Sequence, residues 1–145
     1  MTIHKIFHLR QPIHEARERL RAPGTWTSSD NDISVQYSSG EGEGAGHLMF
    51  HSRHGSPISA DIEEVPGDEQ DSILFRSVCG DVELAGMIEL FPIRANLTEA
   101  VLTVEYDAPS TMQKAIERIS VGLDQFLNRQ LARIERARAG VELCA

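Results

Sequence analysis

Four glycines fall at alternate positions in the stretch SSGEGEGAGHLMF, Ser38 to Phe50: Gly40, Gly42, Gly44 and Gly46. A glycine-rich run cradles phosphate when a strand leads into it and a helix follows. Here the following segment, HLMFHS, is strand-like, and no Gly-Lys-Ser/Thr completes a phosphate loop. Glu41 and Glu43 would also repel a phosphate. The run reads as a hairpin connection whose bare backbone can lie at a cavity mouth and admit a ligand.

Three histidines come next, His47, His51 and His54. On a strand, His47 and His51 share a face but stand roughly 13 Å apart at ~3.3 Å per residue. Zinc bonds of about 2 Å do not reach across that gap, and His54 points to the opposite face. Exposed strand histidines are expected, with no metal and no cofactor. Cys79, beside a turn and without an evident base, reads as a small hydrophobe. Cys79 and Cys144 lack metal-ligand spacing, so a reduced, cytoplasmic protein is expected.

The 22 acidic residues outnumber the 14 basic ones, for a formal net charge of −8. Nucleic acid needs a basic face for its phosphates, so it is not an expected partner, and an anionic membrane surface is disfavoured for the same reason. The N-terminus MTIHKIFHLRQPIHE is broken by charged residues every few positions, unlike a signal peptide. No apolar run is long enough for stable membrane insertion. A chain of 145 residues suits one domain with one core, and its oligomeric state stays open.

These residues are positioned by the following elements. TIHKIFHL alternates as a strand, and Pro12 opens a short helix striped by Ile13, Ala16 and Leu20 that ends at Pro23-Gly24. Turn chemistry then separates six strands: Ile33–Ser38, Gly46–His54, Ile58–Val65, Ser72–Cys79, Val82–Phe91 and Leu97–Asp107. From Met112 to Arg138 the apolar residues fall at helical spacing, giving an amphipathic helix about 40 Å long at 1.5 Å per residue. Ser110 is placed to cap it, and Arg129, Arg133, Arg136 and Arg138 suit its carbonyl end. The expected class is α+β: a curved antiparallel sheet of about six to seven strands wrapped around a long C-terminal helix, the helix-grip arrangement.

Strand period sorts the two faces. One parity holds Ile58, Ala60 and Ile62, then Ile73, Phe75 and Ser77, then Leu84, Gly86 and Ile88, then Leu102, Val104 and Tyr106. The other holds Asp61, Glu63, Glu83, Glu89, Glu99 and Glu105, a water-facing surface whose carboxylates do not converge on an enclosed substrate. Glu64 shares the inward parity, but its place beside Val65-Pro66 suggests a turn role. Lys5 and His54 are placed at the rim of the inward face. No Ser/His/Asp or Cys/His set emerges on one face.

The stretches ADIEEVPGDEQDSILFRSVCGDVELAGMIEL and VLTVEYDAPS carry Val65-Pro66-Gly67, Phe75-Arg76-Ser77, Gly80-Asp81-Val82-Glu83, Ala85-Gly86 and Tyr106-Asp107 before Pro109. In that order they resemble the cyclase/dehydrase-like (polyketide cyclase/dehydrase) branch of the SRPBCC superfamily, of START-like and birch-pollen-allergen-like proteins. The likeness spans residues 1–145 as a single domain. It implies a deep hydrophobic cavity between sheet and terminal helix, and it carries over no catalytic residue.

The expected function is therefore binding or transport of a small hydrophobic molecule, lipid-, polyketide- or aromatic-like. The expected ligand-binding residues are Tyr37, Phe75, Ser77, Leu84, Gly86, Ile88 and Tyr106 from the sheet. The helix would add Ile116, Ile119, Leu123 and Phe126. A leucine at position 86 is expected to intrude on the cavity at modest cost to stability. Two alternatives stand beside this reading. One is a cyclase/dehydratase-like enzyme in which Tyr106 or Tyr37 orients an enol oxygen. The other is a protein-interaction module using the acidic face or the glycine-rich edge.

Overall fold

The computed structural model describes residues 2–29, 33–40, 44–52, 57–65, 71–107 and 113–136. On the last helix the side chains described are those of 124, 125 and 127–136. The elements run β1 (Thr2–Leu9), α1 (Ile13–Arg21), α2 (Pro23–Trp26), β2 (Ser28–Ser29), β3 (Ile33–Ser39), β4 (Ala45–Ser52), β5 (Ile58–Val65), β6 (Ser72–Gly80), β7 (Glu83–Arg94), β8 (Leu97–Asp107) and α3 (Gln113–Arg136).

All strands join one antiparallel sheet in the order β1-β8-β7-β6-β5-β4-β3-β2. Seven are full strands, and β2 adds two residues at the β3 edge. The pairing of β1 with β8, from Thr2↔Glu105 to Leu9↔Thr98, sets the first strand of the chain beside the last, so that β1 and β2 form the two edges of the sheet. The sheet curls into a half-barrel around α3, as the α+β expectation had it. No described helix is long and apolar enough to cross a membrane.

The alternation in β1 is real: Ile3, Phe7 and Leu9 are buried while Thr2, His4, Ile6 and His8 are exposed. Lys5, the polar member of the inward set, pairs with Asp124 of α3 at 2.6 Å, tying the N-terminal strand to the helix that crosses it. Both ends of this pair reach solvent, so its contribution is under about 1 kcal/mol. Pro12 lies at the N-cap of α1 and accepts the first helical bond, Ala16 N–H to Pro12 O at 2.9 Å.

Pro23 departs from expectation. It does not simply end α1 but opens α2 at its first turn, where a missing N–H costs nothing. Strand β4 is described only to Ser52, so His54 lies outside the described residues, as do Ser110, Met112 and Arg138 at the ends of α3.

The interior has two regions of different character. At one end Phe7, Leu9, Leu90, Thr98 and Ile134 are fully buried. Thr98 Oγ1 there donates to Gln11 O at 2.8 Å, satisfying its hydroxyl. Leu127, Gln130, Leu131 and Ile134 form the buried stripe of α3 at spacings of three and four, and the Gln130 amide donates to Thr25 O of α2. At the other end the layers part.

Candidate functional site

Between the inner face of the sheet and the helices lies a cavity of about 600 Å³. Its apolar wall includes Val35, Leu48, Phe50, Ile62, Leu84 and Ile88, with Leu127 contributed by α3. Several inward side chains here are only half-buried, among them Leu48, Phe75, Val104 and Tyr106, although they face the interior. Among the described residues of α3, Leu127 alone borders this space.

Five residues singled out from the sequence line this space: Tyr37, Phe75, Leu84, Ile88 and Tyr106. Two do not. Ser77 Oγ accepts a hydrogen bond from Leu84 N–H at 2.9 Å across the β6–β7 hairpin, and Ser77 borders a separate open groove at that hairpin. Its oxygen holds the Leu84 N–H, and Ser77 is not on the wall of the larger cavity. Gly86 lies directly opposite Phe75 in the sheet, and the Phe75 ring occupies the space over it, so that any Cβ at 86 would overlap the ring. A leucine there would meet the far end of the Phe75 side chain and take up cavity space by pushing that ring aside. The side chains of Ile116, Ile119, Leu123 and Phe126 lie outside the described residues.

The cavity has a polar end, where the inward parity of Glu64 holds and the expected turn role does not. Glu64 is on its wall, not in a turn. Its backbone N–H donates to Gly44 O at 2.8 Å, and its carboxylate accepts from Arg21 Nη2 at 2.7 Å. Tyr37 stands beside it. Burial, and then the Glu64 charge, raise the Tyr37 phenol above its ordinary pKa, so the neutral hydroxyl persists at the site. The backbone of Tyr37 is held by Thr27, whose Oγ1 accepts from Tyr37 N–H at 3.0 Å.

The glycine run forms part of this end. Gly40 N–H donates to Ala45 O at 2.9 Å, consistent with a hairpin. Gly44 has φ +76, a conformation favouring glycine, and abuts Glu64. Gly46 leaves the space that the Tyr37 ring fills. Trp26 also lines the cavity, its indole N–H donating to Leu20 O at 2.7 Å at the end of α1. It is the last residue of the four-residue α2, too short for a helical period to assign a face.

A second group lies on the outer face. His47 Nδ1 is 2.6 Å from Asp61 Oδ1, and Cys79 Sγ donates to Asp61 Oδ2 at 3.1 Å. These residues sit side by side on β4, β5 and β6, paired His47↔Asp61 and Asp61↔Cys79. Strand parity puts Cys79 with Phe75 and Ser77, but a bulge shifts the register: Ile62 pairs with Ser77 while Asp61 pairs with Cys79. The extra residue, Val78, turns Cys79 to the outer face. The hydrogen bonds from His47 and then Cys79 lower the Asp61 pKa, and the same carboxylate raises that of Cys79. A thiol held protonated in this way is a poor nucleophile. Among the described residues no group of His, Cys, Asp or Glu is arranged to hold a metal ion.

No family model and no curated protein matches the chain. Solved structures do match along nearly its whole length. A protein of Deinococcus radiodurans aligns at 18% identity and TM-score 0.64, over 94% of this chain and 95% of its own. The Zhui aromatase/cyclase from Streptomyces sp. R1128 aligns at 18% identity and TM-score 0.59, over 97% and 99%. Norcoclaurine synthase of Thalictrum flavum aligns at 12% identity and TM-score 0.55, over 92% and 93%. At these identities the likeness establishes the fold alone, the helix-grip arrangement shared with these structures.

Proposed function

We propose that the protein binds a small, predominantly apolar molecule in the cavity between the sheet and its helices. The observation that carries this reading is the cavity itself, about 600 Å³ with an apolar wall and one polar end. Ligand sites commonly combine an apolar enclosure with a few placed polar groups. A packed core of the same residue types would leave no such space. Native mass spectrometry of freshly purified protein, followed by denaturing extraction, tests it: a co-purifying mass that extracts as an apolar small molecule is expected. A protein that is free of ligand and fails to bind any hydrophobic probe would contradict it.

A second reading, cyclase/dehydratase-like catalysis, draws support from Tyr37 beside Glu64. There a neutral hydroxyl and a carboxylate share the polar end of the cavity, an acid–base pairing on the inward face. The fold is shared with an aromatase/cyclase. Turnover of a polyketide-like substrate that is lost in both Tyr37→Phe and Glu64→Gln would favour this reading over simple carriage.

A further inference from the structure

We infer that the polar end of the cavity selects ligands by charge: it takes amphipathic molecules with a neutral or cationic head and disfavours anionic ones such as fatty-acid carboxylates. The inference rests on the cavity being a ligand site. Among the described residues, the charged side chains on its wall are Glu18, Arg21 and Glu64. Two carboxylates against one guanidinium leave a net single negative charge. Arg21 is already engaged by Glu64 at 2.7 Å, while Glu18, one helical turn before Arg21, has no ion-pair partner among the described residues.

The carbonyls at the end of α1 that reaches the cavity are already taken, Leu20 O by the Trp26 indole and Ala22 O by Thr25 N–H, so the sign of the field there is set by the three side chains. A carboxylate head would have to share Arg21 with Glu64 and stand against the charges of Glu64 and Glu18. An alcohol or ammonium head can donate to Glu64 or Glu18 and leave the ion pair intact. The phenol of Tyr37, neutral beside Glu64, can donate to or accept from such a head.

The test uses three probes with one apolar body, decanol, decylamine and decanoate, each competing at neutral pH against a neutral solvatochromic dye. Decanoate should bind at least about fivefold more weakly than decanol, and decylamine at least as well, since like charge near a partly buried site costs this much or more. Glu64→Gln and Glu18→Gln should each narrow the decanoate-to-decanol ratio, and Arg21→Gln should widen it. Having two carboxylate variants keeps the test open should one fold poorly. Added salt should narrow the ratio in wild type. The whole-chain charge of −8 is barely altered by one substitution, so these changes report the local field. Equal binding of decanol and decanoate, or a ratio indifferent to all three variants, overturns the inference alone. A wild type that binds neither dye nor decanol removes the ligand site together with the inference.

Discussion

The ring of Tyr37 occupies the space that any side chain at Gly46 would need, so the glycine run that first suggests a phosphate cradle serves to seat an aromatic ring at the cavity. An aromatic laid over a cross-strand glycine covers exposed backbone, and it recurs where Phe75 covers Gly86. Gly46→Ala should therefore push Tyr37 off its seat and destabilise the fold by about 1–3 kcal/mol. In a Tyr37→Ala background the same change should cost little, because the collision is gone. Denaturant unfolding of the four proteins of this cycle measures the coupling. Equal costs in the two backgrounds would show that the ring is not seated on Gly46.

Tyr37 should titrate at higher pH than an ordinary phenol. Burial is the larger cause and the Glu64 carboxylate the second, both favouring the neutral form. The sign follows from linkage: a pKa raised in the folded state leaves stability intact below about pH 10 and removes it as pH rises through the folded value. Absorbance titration at 295 nm, with Tyr37→Phe subtracted to isolate this residue from Tyr106, reads the value. Glu64→Gln should lower it, and an unmoved titration would contradict the placement of Glu64 beside the ring.

Cys79 should be slow to alkylate despite its exposure. Its thiol donates to Asp61, which favours the protonated form and raises its pKa. In a Cys144→Ser background, Asp61→Asn should speed iodoacetamide labelling near pH 8 severalfold by releasing the thiolate. Asp61 itself works in the opposite sense: its lowered pKa gives stability that is present above the ordinary aspartate range and lost as pH falls through the folded value. Labelling unchanged by Asp61→Asn would mean the contact does not control the thiol.

Strand period sufficed wherever the ladder is regular. Ile58, Ala60 and Ile62 alternate cleanly with Asp61, and they lie on the faces that parity gave them. Extended to Cys79, it would point that residue inward with Ser77, but one bulged residue, Val78, reverses the faces beyond it, and a bulge leaves no mark in hydrophobic alternation. The nearness of Glu64 to Pro66 suggests a turn, yet the strand holds its inward parity to that point, and the carboxylate stands on the cavity wall opposite Arg21. The stacking of Tyr37 on Gly46 and of Phe75 on Gly86 depends on cross-strand register, which one sequence does not display. The hollow itself is a property of the assembled layers, whereas the inward residue types would suit a solid core equally well.

The claim that most of this account depends on is that the inner face encloses a space a ligand can enter. Val104, half-buried on that face and directly opposite Gly86, points into it. A titration of wild type and Val104→Trp with a solvatochromic hydrophobic dye, alongside thermal unfolding of both, tests the claim most directly. The account predicts saturable one-to-one binding by wild type, loss of most of that binding in Val104→Trp, and a melting temperature that falls little because the indole enters open space. An overpacked core would instead lose about 1–3 kcal/mol or more. Severe destabilisation of Val104→Trp together with no saturable dye binding by wild type would contradict the account.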